Sequence, residues 1–269
     1  MIKTTRLNST IENSPILVII PGGPGLSSLT LRSLDCLNER FNLIYIDFPG
    51  CNNTDLNDNP YTKDQTFEEL SNGVVKVVNE LKEKNKLVFV LGHSFGGFFA
   101  ADIALKTSVD GIICIATPFS NKSLHNANDN YNKAITNSAS EALLLAEAEW
   151  GTKKDDRALA KWLSEYGKMY FVRPEGKKLI ECDKASAKFF LNNRADVIHG
   201  ERLLEKIGEL KIKKIVIAGS EDGLLDVETL RIDAEKGKFE FFEVEKASHF
   251  VMVDNIEKVR EIIIKSLDK

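Results

Sequence analysis

The stretch Val88–Leu105, VFVLGHSFGGFFAADIAL, decides how this chain is read. An apolar run ends in one serine, Ser94, held between Gly92 and Gly96 in the pattern G-x-S-x-G. The run Lys86–Gly92 has the length and composition of a buried strand. Phe98–Lys106, with small contact residues Ala100, Ala101 and Ala104, reads as the helix that follows. Ser94 then falls in the turn between them. So tight a turn strains the backbone at the serine, and a glycine two residues before and two after keeps it free of clashes. The geometry lifts the hydroxyl out at the C-terminal edge of the sheet, where open α/β folds bind ligands. The first amides of the helix point at the same spot and favour negative charge there. A serine so placed reads as a nucleophile.

Outward from this turn, short apolar runs alternate with helical patterns. Strands are predicted over Ile16–Ile20, Asn42–Phe48, Gly111–Thr117, Lys214–Gly219 and Lys238–Val244 as well. Their near-continuous apolar character predicts a parallel sheet covered by helices on both faces. In TFEELSNGVVKVVNELKEK, Phe67, Leu70, Val74, Val77, Val78 and Leu81 recur at helical spacing. Thr66 and Glu69 stand at the positions of a capping box. Ile256, Val259, Ile263 and Leu267 mark one face of a last helix. The alternation breaks between Pro118 and about Leu210, a stretch of helical patterns without a strong strand. The division expected is a core of residues 1–117 and 211–269, with a helical lid over 118–210.

A serine nucleophile needs a base. Of the four histidines, His125 and His199 lie in the helical stretch. His93 precedes Ser94 in the turn, so its side chain is expected to point elsewhere. His249 follows the last strand, in the loop EKASHFVMVD, on the sheet edge that carries Ser94. The base in turn needs a carboxylate to fix its tautomer. The strand KIVIAG runs into SEDGLLD, which offers Asp222, with Glu221 and Asp226 as alternatives. The chain order Ser94, Asp222, His249 is the one expected of such a sheet. The strand ILVII ends in PGGPGLSS. Pro21 and Pro24 have no N–H to give. Gly23 has one, and with the amide of Phe95 it forms a candidate oxyanion hole.

The totals exclude other classes. The 269 residues are 43% apolar and 28% charged, as in an ordinary globular protein. A net charge of −4 leaves no basic footprint for nucleic acid. No apolar run reaches membrane-spanning length, and no signal peptide is visible at the N-terminus. Cys36, Cys51, Cys114 and Cys182 lack metal-like spacing and read as reduced thiols in a cytosol, Cys114 within the core. The glycine loop lacks the G-K-[ST] ending of a phosphate-binding loop.

Together these motifs resemble the α/β-hydrolase superfamily, and more narrowly its proline iminopeptidase family, from about Ile16 to the C-terminus. PGGPGLSS is similar to the family's H-G-G-P-G, and IYIDFPGCNNTD to its D-Q-R-G-x-G-x-S stretch; GHSFGG, GSED and SHF complete the set. The resemblance implies a mostly parallel sheet with an inserted helical cap and a serine hydrolase acting through an acyl-enzyme, without metal or organic cofactor. Its partner would be a small-molecule or short-peptide substrate, not nucleic acid or membrane; the oligomeric state stays open. Gly22 and Asp196 are the substrate-binding positions it suggests, Asp196 for a free α-amino group. The chain departs from the family at Pro21, where histidine is usual, and at Asn53 and Thr54, in place of G-x-S. Gly223 stands where a second amine-binding acid often follows the triad aspartate, which halves the amine anchor. Aminopeptidase activity is therefore expected beside two alternatives, an esterase or lactonase and a ligand-binding protein on a hydrolase fold.

Overall fold

The computed structural model describes residues 2–52, 65–83, 87–137, 140–195 and 198–267. Seven strands form one sheet: β1 (Lys3–Leu7), β2 (Ile16–Ile20), β3 (Asn42–Asp47), β4 (Val88–His93), β5 (Gly111–Ile115), β6 (Lys213–Gly219) and β7 (Glu240–Val244). Their order across the sheet is β1-β3-β2-β4-β5-β6-β7. Only β1 runs antiparallel, at the edge beside β3. The predicted strands are all present, β2 with the ends expected and the others with ends shifted by at most two residues. β1 was not foreseen: KTTRL is half-exposed and mostly polar, so it carries no strand-like apolar run.

The period of two in each strand splits the core into two layers. Ile16, Val18 and Ile20 of β2 face one layer and Leu17 and Ile19 the other. The first layer takes the apolar faces of α1 (Phe67–Lys82), α2 (Phe95–Lys106) and α9 (Gly200–Glu209). The second takes a run of 3-10 turns over Ser28–Glu39 and the last helix, α12 (Ile256–Leu267). α1 begins on the capping box expected: Thr66 accepts from the Glu69 amide and the Glu69 side chain from the Thr66 amide. Among the described residues, seven α-helices lie between β5 and β6: α3 (Asn121–Asn137), α4 (Glu141–Lys153), α5 (Asp156–Glu165), α6 (Gly167–Tyr170), α7 (Lys177–Glu181), α8 (Ala187–Asn192) and α9. Trp162 packs within this helical segment. Its ring stacks on Tyr131 and Trp150 and meets Tyr166 and Phe190 edge-on. Aromatic surface on the three helices α3, α4 and α5 is covered mutually, so it does not depend on the sheet for burial. The remaining helices are α10 (Val227–Lys236), after β6, and α11 (Val251–Asp254), after β7.

Every parallel strand delivers its C-terminal end to one edge of the sheet. Ser94 follows β4 there, with φ 50° and ψ −118°. The turn closes so tightly that a Cβ on Gly92 would lie 2.1 Å from the Gly96 carbonyl oxygen. A Cβ on Gly96 would lie 2.4 Å from the carbonyl oxygen of Ile20, at the end of β2. Both glycines are therefore required by backbone approaching backbone, which cannot give way as a side chain can. Gly151 in α4 is the opposite case, with open space where its Cβ would be. Gly151→Ala is expected to raise stability by up to about 1 kcal/mol through helix propensity. Gly92→Ala is expected to cost at least several times that, or to abolish soluble expression. Urea unfolding of both variants checks this; equal, small effects would mean that the turn tolerates a side chain.

Candidate active site

Ser94 lies 7% exposed and lines a narrow cleft. Its amide donates to the Ile115 carbonyl at 2.7 Å, so the serine is fastened to β5 as well as carried by β4. His249 shares the cleft with it, in the loop after β7. The ring Nδ1 lies 2.9 Å from Asp222 Oδ2, and the two side chains are only 4% and 0% exposed. An ionised carboxylate only accepts, so Nδ1 carries the proton and donates it, which leaves Nε2 with its lone pair. The other oxygen, Asp222 Oδ1, accepts from the amides of Leu224 and Leu225, each at 2.9 Å. Three donors thus compensate a carboxylate that is fully removed from water, a condition for burying it. The two alternatives to Asp222 have other settings. Asp226 caps α10 by accepting from the Thr229 amide, and Glu221 is exposed.

The loop carrying His249 is pinned at several points. Phe250 N donates to the Tyr170 carbonyl at 3.0 Å and Ser248 Oγ to the Met169 carbonyl at 2.9 Å. The His249 carbonyl itself lies 3.0 Å from His93 Nε2. This corrects the expectation for His93. Its side chain does not leave the site but lines the cleft, with Nε2–H donating to the backbone of His249. Burial depresses its pKa to about 3, with the nearby His249 adding to the effect, so the ring stays neutral and keeps donating at ordinary pH. A G-x-S-x-G motif read as a string gives no sign of this link.

Gly23 lines the cleft, and Phe95 opens α2 beside Ser94, where the first helical amides lack intrahelical acceptors. Gly22 lies behind them against the elbow: a Cβ there would be 2.9 Å from His93 Nδ1 and 3.1 Å from Ser94 Cβ. The glycine loop is held from the far side by the helical segment. Ser27 donates its amide to Asp183 at 2.9 Å and its hydroxyl to the same carboxylate. Ser186 N donates to the Gly25 carbonyl at 2.8 Å. The next serine, Ser28, donates its amide and hydroxyl to Asp47, at 2.8 and 2.9 Å, and Asn52 donates to Asp47 as well. The sequence offered only the Ser27-Ser28 pair as a clue, since Asp183 lies 156 residues away.

The rest of the cleft wall is mostly apolar: Leu26, Leu163, Ile180, Phe190, Leu224 and Phe250. Tyr131 and Tyr170 add two phenols. Among the described residues the wall has no carboxylate, lysine or arginine. Gly223 leaves no room for an acid, because a Cβ there would sit 2.8 Å from the Met169 Cα. Asp196, like Asn53 and Thr54, lies outside the described residues. Among the described residues no group of three or more His, Cys, Asp or Glu side chains could hold a metal ion. Nor is any helix there long and apolar enough to cross a membrane.

Comparison with known proteins agrees with this architecture. The alpha/beta hydrolase fold family matches residues 15–256, and the chain belongs to that family. It is similar to the proline iminopeptidase PfmaB of Pestalotiopsis fici, 22% identical over 96% of this chain and 93% of that protein. Among solved structures it is similar to the esterase EaEST of Exiguobacterium antarcticum, with TM-score 0.70, 17% identity and coverage of 98% and 94% of the two chains. MenH of S. aureus superposes with TM-score 0.68 at 14% identity, covering 98% and 97% of the two chains.

Burial raises the Asp183 pKa from 3.8 to about 6, against the lowering effect of its Ser27 hydrogen bonds. Between those two values the folded protein keeps a proton that the unfolded chain has lost. Asp183 therefore makes folding less favourable as pH rises from about 4 to 6, by at most on the order of 3 kcal/mol. Asp183→Asn has no such titration. The stability of wild type relative to this variant is expected to fall over that window and to level off above it. Urea midpoints taken at half-unit pH steps check this, and a difference independent of pH would contradict it.

Proposed function

We propose that the protein is a serine hydrolase that cleaves small, neutral esters or amides through an acyl-enzyme. The observation that carries this reading is the buried Asp222–His249 pair opening on the same cleft as a serine held in an elbow. Ser94 Oγ attacks the scissile carbonyl while His249 Nε2 takes its proton. Asp222 keeps the proton on Nδ1 and stabilises the imidazolium that forms. The negative charge on the carbonyl oxygen is received by the amides of Gly23 and Phe95. As the tetrahedral adduct collapses, His249 returns the proton to the departing alcohol or amine. Water then attacks the acyl carbonyl and gives a proton to His249, which passes it to Ser94 Oγ as the acyl–oxygen bond breaks and the acid leaves.

The helices over residues 118–210 act in this reading as a cap, and the core is 1–117 with 211–269. The cap contributes Tyr131, Leu163, Tyr170, Ile180 and Phe190 to the wall, so it selects the substrate while the core performs the chemistry. An apolar wall suits a short acyl chain. The cysteines are free thiols, in keeping with a reducing compartment such as the cytosol.

A second reading, an aminopeptidase acting on small N-terminal residues, is favoured by the similarity to the proline iminopeptidase along nearly the whole chain. It needs an acid to receive the substrate's free amine. Gly223 supplies none, and Asp196 would have to act alone.

Short-chain 4-nitrophenyl esters assayed beside prolyl and alanyl 4-nitroanilides separate the two readings. Ester turnover is expected to dominate, to vanish in Ser94→Ala, and to fall by about 10⁴ in kcat in Asp222→Asn. Prolyl anilide turnover exceeding that of the esters would replace the first reading with the second. Undiminished activity in Ser94→Ala would overturn both.

A further inference from the structure

Tyr131 on α3 and Tyr170 on α6 enter the cleft from different helices, and their hydroxyls are in direct contact. Tyr170 is buried, and its ring centroid lies 5.8 Å from that of His249. Two phenols carry two protons, but their contact uses only one of them. Neither hydroxyl has another hydrogen-bond partner among the described residues. One O–H is therefore left over inside a mostly apolar cleft, next to the candidate base. Tyr170 is buried and Tyr131 half-buried; a donor facing an apolar wall without a protein acceptor is a ready partner for a ligand oxygen, which gains a directed hydrogen bond there.

We propose that this tyrosine pair is a substrate-recognition site, which binds a neutral carbonyl oxygen carried by the substrate in addition to the carbonyl that is cleaved. The proposal rests on the hydrolase reading above and narrows its substrate class to keto- or amide-bearing acyl compounds. Neutrality follows from the wall, which among the described residues offers no cation to balance a buried carboxylate. The phenols are also suited to donate at all ordinary pH values. Burial pushes Tyr131 up to about 12 and Tyr170 well above its usual value, so both keep their protons.

The test compares 4-nitrophenyl levulinate, whose chain carries a ketone, with 4-nitrophenyl pentanoate, the same chain without it. Intrinsic reactivity cancels when the ratio of their kcat/KM values is compared between proteins. The ratio is expected to favour levulinate in the wild type and to fall at least 5-fold in the double variant Tyr131→Phe/Tyr170→Phe. Calorimetric titration of Ser94→Ala, with both tyrosines intact, gives a second readout that needs neither turnover nor a tyrosine variant. Levulinate is expected to bind it at least 5-fold more tightly than pentanoate. Equal affinities in Ser94→Ala, or an unchanged ratio in a folded double variant, would overturn the proposal. Failure of the wild type to turn over either ester would instead count against the hydrolase reading, and the affinity difference would still decide the role of the tyrosines.

Discussion

The backbone of Ser94 sits in a conformation that side-chain-bearing residues seldom adopt, and the site depends on its being held there. Such a residue costs on the order of 1–3 kcal/mol. The surroundings offset this by leaving no alternative. β4 and α2 are both buried, the serine amide is bonded to β5, and Gly92 and Gly96 let the two backbones close to distances no other residue permits. A relaxed turn would have to move α2 away from the end of β2. Strain at one residue is thereby tied to the packing of the first core layer, and the serine backbone is fixed before any substrate arrives.

The same economy governs the carboxylate and the imidazole. Asp222 is tolerable without water because two amides of its own loop and one ring N–H satisfy it. His249 is oriented twice, through its ring by Asp222 and through its carbonyl by His93. Since His93 precedes Ser94, the elbow itself holds the loop that carries the base. The helical segment closes the arrangement from the other side. It anchors the glycine loop through Asp183 and Ser186, and the His249 loop through Met169 and Tyr170. One helical insertion thus supports both the candidate oxyanion donors and the candidate base while lining the cleft.

The parts legible in the sequence were those written locally. Six strands, the elbow glycines, the Thr66–Glu69 capping box and the loops bearing Asp222 and His249 all follow from periodicity or from turn chemistry. The parts that were not legible depend on contacts between distant residues. β1 has too few apolar residues to announce itself and exists because β3 offers it an edge. The inward course of His93, the Asp183–Ser27 anchor and the meeting of Tyr131 with Tyr170 join residues 39 to 156 positions apart. The aromatic cluster around Trp162 is of the same kind, because helical spacing reveals an apolar face without naming what covers it.

The central claim is that Ser94 is an activated nucleophile served by His249. Treatment with a fluorophosphonate, followed by peptide mass spectrometry, tests it most directly, since the reagent needs only the activated oxygen and no knowledge of the substrate. The account predicts one adduct, on the peptide containing Ser94, formed far more slowly in His249→Ala. An unmodified Ser94 in the folded protein, or labelling that His249→Ala leaves unchanged, would contradict it.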